Sequence, residues 1–166
     1  MSNSWRSQYP DCLSAIADSS DTAGKVVLRK EELMSDTELQ NLRHTLLVVD
    51  DTPQNLSLMS EILAKDYTVK LAPSGARALT IVSTSKIDLI LLDIMMPEMD
   101  GYEVCRRLKA DPAYKAIPVI FVTAVTETKS KEKGLLLGAV DYLTKPVEPD
   151  LLLSCVQRHL AFRPQS

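Results

Sequence analysis

Three stretches of this chain are apolar at every position: LLVV at 46–49, LILL at 89–92 and VIFV at 119–122. A strand with one face in water alternates apolar and polar residues. A short run that is apolar throughout belongs to a strand covered on both faces, as in a parallel sheet. Five strands are read on this basis, at Thr45–Asp50, Tyr67–Leu71, Asp88–Asp93, Pro118–Thr123 and Ala139–Leu143. Between them the apolar residues recur at helical spacing. Thr52-Pro53 opens a helix carrying Leu56, Met59 and Leu63, with proline in the first turn where its missing N–H costs nothing. Residues 75–84 carry Ala78, Leu79 and Val82, and residues 101–110 carry Val104, Cys105 and Leu108 before Asp111-Pro112 stops the helix. Residues 126–137 begin polar and end in Leu135-Leu136-Leu137, and residues 149–161 carry Leu152, Cys155, Val156 and Leu160. Five strand–helix units in succession predict an α/β fold, a doubly wound parallel sheet with helices on both faces and right-handed crossovers.

The remaining classes of protein are excluded by composition. The 166 residues suit one domain. With 19 basic and 22 acidic side chains the net charge is -3, which argues against broad electrostatic binding of nucleic acid or an anionic membrane. No apolar run approaches the ~18 residues of a membrane span, and the N-terminal MSNSWRSQYPD has no apolar core like that of a signal peptide. Cys12, Cys105 and Cys155 are far apart, with no CxxC or His pairing, so neither a disulfide scaffold nor a zinc site is expected. A reducing cytoplasm is the simplest location.

Residues 1–44 differ from the rest, with few apolar clusters and much Ser, Asp and Thr. They are read as a solvated N-terminal extension. Ser35 and Glu38 fit a capping box, which predicts a short helix near 36–43. The fold proper is expected over 45–162, with 163–166 as a tail or the start of a linker.

In an open α/β sheet, ligands bind beyond the carboxyl ends of the strands. The first strand ends there in Asp50-Asp51 and the third in Asp93. If these strands are neighbours, three carboxylates converge and repel one another unless a cation neutralises them. An oxygen-rich, partly open cluster suits a hydrated divalent ion, Mg²⁺ before zinc. The fourth strand ends in Thr123-Ala124, which gives a hydroxyl, and Lys145-Pro146 after the fifth gives an ammonium. Acids, metal, hydroxyl and lysine together describe a phosphoryl site, with Asp93 as nucleophile. An acid at a strand end is usually only a turn former. The functional reading rests on four strand ends carrying complementary chemistry.

The motifs VVDD (48–51), LLDIMMPEMDG (91–101), PVIFVTA (118–124) and GAVDYLTKP (138–146) occur in one order, and over 45 to 162 the chain resembles the receiver domain of two-component response regulators. The resemblance implies a flavodoxin-like sheet of order 2-1-3-4-5. It implies that Asp93 accepts a phosphoryl group from a histidine kinase or phosphotransfer protein. Asp51 and Asp93 would be direct Mg²⁺ ligands, with Asp50 acting through a water and Met95 through its backbone carbonyl. Lys145 would bind a phosphoryl oxygen, and the Lys145-Pro146 bond that follows it would be cis. Thr123 would be the switch hydroxyl and Tyr142 its aromatic partner, while Asp100 and Gly101 shape the loop after the acceptor. Met95 and Val125 take the positions flanking the hydrolytic water, and neither can orient it.

Two other chemistries fit less well. A flavin-binding flavodoxin needs phosphate-binding donors after the first strand, where this chain has DDTPQN. A haloacid-dehalogenase-like phosphatase needs a second acid two residues after its nucleophile, where this chain has Met95. His44 is read as capping or bordering the first strand, His159 as a packed boundary residue in the last helix's apolar stripe between Cys155 and Leu160, and the cysteines as small apolar residues.

The output is less legible. The chain is either a stand-alone receiver or part of a longer regulator. The stretches GAVDYLTKPVEPD and DPAYKAIPVIFVTA resemble receivers attached to domains that make or hydrolyse cyclic di-GMP. A helix cannot bury Leu135, Leu136 and Leu137 equally. Leu136 is expected to face outward on the surface of the fourth helix, fifth strand and fifth helix, as a contact for a second copy or an output domain, with Asp141 and Arg158 as rim charges.

Overall fold

The computed structural model describes residue 35 and residues 43–161. The chain divides between residues 42 and 43 into two units, and the architecture below is that of the second. The helix expected over 36–43 lies outside the described residues except for Arg43, which sits in a bend. The tail expected at 163–166 also lies outside them.

Strands and helices alternate: β1 Thr45–Val49, α1 Pro53–Leu63, β2 Thr68–Ala72, α2 Gly75–Thr84, β3 Leu89–Leu92, α3 Gly101–Ala110, β4 Val119–Thr123, α4 Thr128–Leu136, β5 Asp141–Thr144 and α5 Pro149–Ala161. The five strands form one sheet of order β2-β1-β3-β4-β5, parallel at every pairing. The parallel, doubly covered sheet is the one expected from the apolar runs, and its flavodoxin-like order is the one the family resemblance implies.

The period of two along a strand sends alternate side chains to opposite faces. Leu47, Val49, Ile90, Leu92, Val119 and Phe121 meet Ala78 and Val82 of α2 and Val104, Cys105 and Leu108 of α3. Their neighbours Leu46, Val48, Leu89, Leu91, Ile120 and Val122 meet Leu56, Met59 and Leu63 of α1 and Leu152, Cys155 and Val156 of α5. Each apolar run therefore feeds two cores at once, which is why it contains no polar residue.

Boundaries move where a helix end claims the backbone. Strand β5 starts two residues later than expected, because Gly138 (φ 104) and Ala139 donate their N–H groups to Leu135 and Gly134 and close α4. Strand β2 starts one residue late for the same reason, with the Tyr67 N–H bonded to Leu63 O at the end of α1. Helix α4 spans two residues less at its start than expected and one less at its end. Among the described helices it is the least anchored, burying only Gly134. A Cβ on Gly134 would stand 2.8 Å from the Phe121 ring, so glycine there lets α4 lie close to the sheet. Among the described residues no helix is long and apolar enough to cross a membrane.

Candidate functional site

Register brings the acids together. Val49 of β1 lies opposite Leu92 of β3, so the residues that follow, Asp50 and Asp93, leave the sheet side by side. The Asp93 N–H still bonds Val49 O at 2.9 Å. On the other flank Thr123 pairs with Thr144, and the Lys145 N–H bonds Thr123 O at 2.9 Å. The strand order thus places the ends of β1, β3, β4 and β5 at one rim, and the Lys145-Pro146 peptide there is cis.

Asp50 and Thr123 are fully buried and Asp93 is 5% exposed, while Asp51 is open to solvent. One carboxylate oxygen from each of Asp50, Asp51 and Asp93 lies within 4.8 Å of the other two. Lys145 reaches over two of them, its Nζ 2.5 Å from Asp50 Oδ2 and 3.2 Å from Asp93 Oδ2. Backbone N–H groups orient the acids: Thr52 N donates to Asp50 Oδ1 at 2.9 Å and Met95 N to Asp93 Oδ1 at 3.3 Å.

The electrostatics follow from this crowding. Burial pushes the Asp93 carboxyl above its ordinary value, and the Asp50 charge adds to that; Lys145 and the Thr123 hydroxyl oppose it without prevailing. Burial also works against the Lys145 ammonium, but its hydrogen bond to Asp50 and the two carboxylate charges outweigh it and hold its pKa above the usual value. One ammonium against two buried carboxylates leaves the cluster short of positive charge. Hard oxygens converging beside an exposed third acid suit a hydrated divalent ion such as Mg²⁺. The residues present fit that group.

The loop after β3 is shaped by contact. A Cβ on Gly101 would fall 2.2 Å from Asp93 O, so only glycine allows the start of α3 to press against the end of β3. The Gly101 N–H bonds Ile94 O at 2.8 Å, and Asp100 caps α3 by accepting from Glu103 N at 2.9 Å. Glu98 within the loop has φ 69. The Met95 side chain is 66% exposed at the mouth of the cluster.

Thr123 accepts weakly from the Val125 N–H at 3.4 Å, and Tyr142 Oη donates to Val125 O at 2.5 Å. The Tyr142 phenol is pushed up to about 12, by burial first and then by Tyr102 and the Asp93 charge. Its ring leans on Phe121 at 6.3 Å between centroids. The hydroxyl and the aromatic ring are therefore linked through one residue, Val125, whose N–H meets the first and whose carbonyl meets the second. Tyr102 Oη donates to Ser130 O at 3.2 Å, a further tie to α4.

Leu136 is 88% exposed and Leu135 51%, while Leu137 packs on the core. Asp141 and Arg158 are paired with each other. His44 borders β1, its Nδ1 3.7 Å from Asp88 Oδ2. His159 is packed at the edge of α5 and bonds Asp141 Oδ2 at 2.9 Å.

Reading the sequence alone missed this last grouping, in which one carboxylate gathers Arg158, His159 and the Cys155 thiol. The four-residue spacing of Cys155 and His159 was a local signal for half of it. Nothing local ties Asp141 to them.

The family model for the response regulator receiver domain matches residues 46–157. The chain is 50% identical over 116 residues to a Vibrio cholerae protein named "Probable cyclic di-GMP phosphodiesterase", covering 70% of this chain and 26% of that protein. It is 41% identical over 119 residues to the response regulator PleD of Caulobacter vibrioides, covering 71% and 26%. It spans about a quarter of the length of these relatives. Among solved structures, the signal receiver domain of a histidine kinase from Syntrophus aciditrophicus superposes with a TM-score of 0.67 at 36% identity, covering 74% of this chain and 96% of that one.

Proposed function

The chain belongs to the response regulator receiver family, and from that premise we propose that it is a phosphorylation-dependent switch in which Asp93 is the phosphoacceptor. The observation that carries this is the convergence of Asp50, Asp51 and Asp93 under the Lys145 ammonium at the carboxyl ends of the strands. Asp51 and Asp93 would hold Mg²⁺ directly, Asp50 through a water, and Met95 through its carbonyl. Bound there, Mg²⁺ supplies the positive charge the cluster lacks. An Asp93 carboxylate oxygen attacks the phosphorus of a phosphohistidine on a kinase or phosphotransfer protein. The new P–O bond forms as the P–N bond breaks, and the imidazole leaves and takes a proton. Lys145 would meet one phosphoryl oxygen and Thr123 another. The receiver itself would catalyse only its own phosphorylation and dephosphorylation.

Drawing Thr123 toward a phosphoryl group pulls on the backbone of Val125, whose carbonyl Tyr142 holds. The lightly anchored α4 is the element that can respond. Leu136 on that helix would then serve as an apolar contact for a second copy or an output domain. Burying a leucine contributes ~1.5–3 kcal/mol, enough to tighten a weak dimer tenfold or more. Sedimentation of L136K against the natural chain, with and without a phosphoryl mimic, tests this. A natural chain that stays monomeric with the mimic, or a variant that assembles equally well, excludes self-association here.

The match to a protein named as a cyclic di-GMP phosphodiesterase favours a second reading of the output, in which the receiver is one part of a regulator of cyclic di-GMP. Residues 1–44 would then be an extension preceding the receiver, 163–166 the start of a linker, and the whole would work in the cytoplasm. The site itself is tested with Mg²⁺ and a small phosphodonor such as acetyl phosphate. Intact-mass measurement should show one phosphoryl group on the natural chain and none on D93N. Equal labelling of the two overturns the assignment.

A further inference from the structure

We propose that Asp141, Cys155 and His159 form a binding site for a transition-metal ion, zinc above all, that bridges β5 and α5. Cys155 and His159 are four residues apart on α5 and so share one face of the helix. Asp141 opens β5 directly opposite. Its Oδ2 lies 2.9 Å from His159 Nε2 and 3.3 Å from Cys155 Sγ, and all three ligand atoms fall within 4.8 Å of one another. Tetrahedral zinc with ordinary Zn–S, Zn–N and Zn–O bonds places its ligand atoms roughly 3.3–3.6 Å apart. Closing on an ion therefore requires shifts of a few tenths of an ångström in the two measured separations.

The donor set is thiol, imidazole and carboxylate, which selects zinc or a similar borderline ion over Mg²⁺. Cys155 is buried, whereas the His159 and Asp141 side chains are 18% and 26% exposed, so the fourth ligand position opens to water. The carboxylate is already aimed: its Oδ1 accepts the Tyr142 N–H at 2.8 Å, which leaves Oδ2 facing α5. The competitor is Arg158, whose guanidinium sits on the same Oδ2. That side chain is 58% exposed and can swing into water. This site departs from the sequence expectation of no zinc, because the third ligand arrives from a strand 14 residues upstream of Cys155.

The test uses the full chain, reduced without added thiol, in excess Mg²⁺ so that the Asp50–Asp51–Asp93 cluster is not left open to the probe ion. Titration with Co²⁺ should produce a thiolate-to-cobalt charge-transfer band that saturates at one ion per chain and is displaced by Zn²⁺. H159A should weaken binding about tenfold or more with the circular dichroism unchanged. C155S should abolish the band, R158A should tighten binding, and C12S should leave it alone. No band on the natural chain, a band with unchanged affinity in H159A, or a band lost in C12S overturns the proposal. If C155S fails to fold, the opposite shifts expected of H159A and R158A decide the matter.

Discussion

Two aspartates, one at each end of the β3–β5 half of the sheet, show how the same side chain is turned to opposite uses. Asp93 sits among Asp50, Lys145 and the Thr123 hydroxyl, and burial beside a second acid raises its pKa. At Asp141 burial also works to raise the pKa, but the bonds from His159, the Tyr142 N–H and Cys155, with the Arg158 charge, prevail and lower it. Charge balance is what differs. At Asp141 one carboxylate meets a guanidinium, an imidazole and a backbone donor. At Asp93 two buried carboxylates share one ammonium. The Asp141 charge is balanced by neighbouring side chains, with Arg158 the group a metal ion would displace, whereas the Asp93 cluster is left short of positive charge.

The largest expected effect separates the two by chemistry. D93N should lose phosphoryl labelling completely, while D141N keeps it; labelling that survives the first or disappears with the second would erase the distinction. Next comes Lys145. Its removal leaves two buried acids without their ammonium, so K145A should cost ~3 kcal/mol of stability without Mg²⁺. Mg²⁺ should restore part of that loss, which urea unfolding with and without the ion measures. A loss that Mg²⁺ does not touch would mean that the acids do not form one cation site.

A smaller effect concerns access. Met95 is largely exposed two residues after the buried Asp93, and neither Met95 nor Val125 has a side-chain group that can orient an attacking water. The double variant M95N/V125E should release its phosphoryl group about tenfold faster, roughly 1.4 kcal/mol off the barrier; an unchanged decay removes the argument. The smallest effect is in the pH dependence of stability without Mg²⁺. A carboxylate with a raised pKa opposes folding once ionised, so D93N should stabilise the fold at neutral pH. Its advantage should vanish as acid protonates Asp93 in both folded and unfolded chains. Asp141 behaves inversely. Its lowered pKa supplies stability above the ordinary carboxylate range that is lost as pH falls through the folded value. D141N should therefore cost about 1 kcal/mol at neutral pH and little in acid. Thermal melts from neutral pH to about pH 3 read both, and shifts of the same sign would break the comparison.

The two regions also differ in how far they could be read beforehand. Asp50, Asp51, Asp93 and Thr123 stand where an apolar run ends and Lys145 just after the fifth strand, so once these segments are read as parallel strands their shared rim follows. The limits of β5 did not follow, because Gly138 and Ala139 serve the end of α4 before the strand begins. Leu136 could be expected outside from three consecutive leucines on a helix.

Local sequence determined which segments are strands and helices, since unbroken apolar runs and the three-to-four spacing each admit one efficient burial. It also determined which side chains end the strands. Tertiary structure alone decided the register that sets Val49 level with Leu92 and so puts Asp50 beside Asp93. It alone brought Asp141 to Cys155 and His159, because the distance between a strand and the helix packed beside it depends on the fit of every side chain between them.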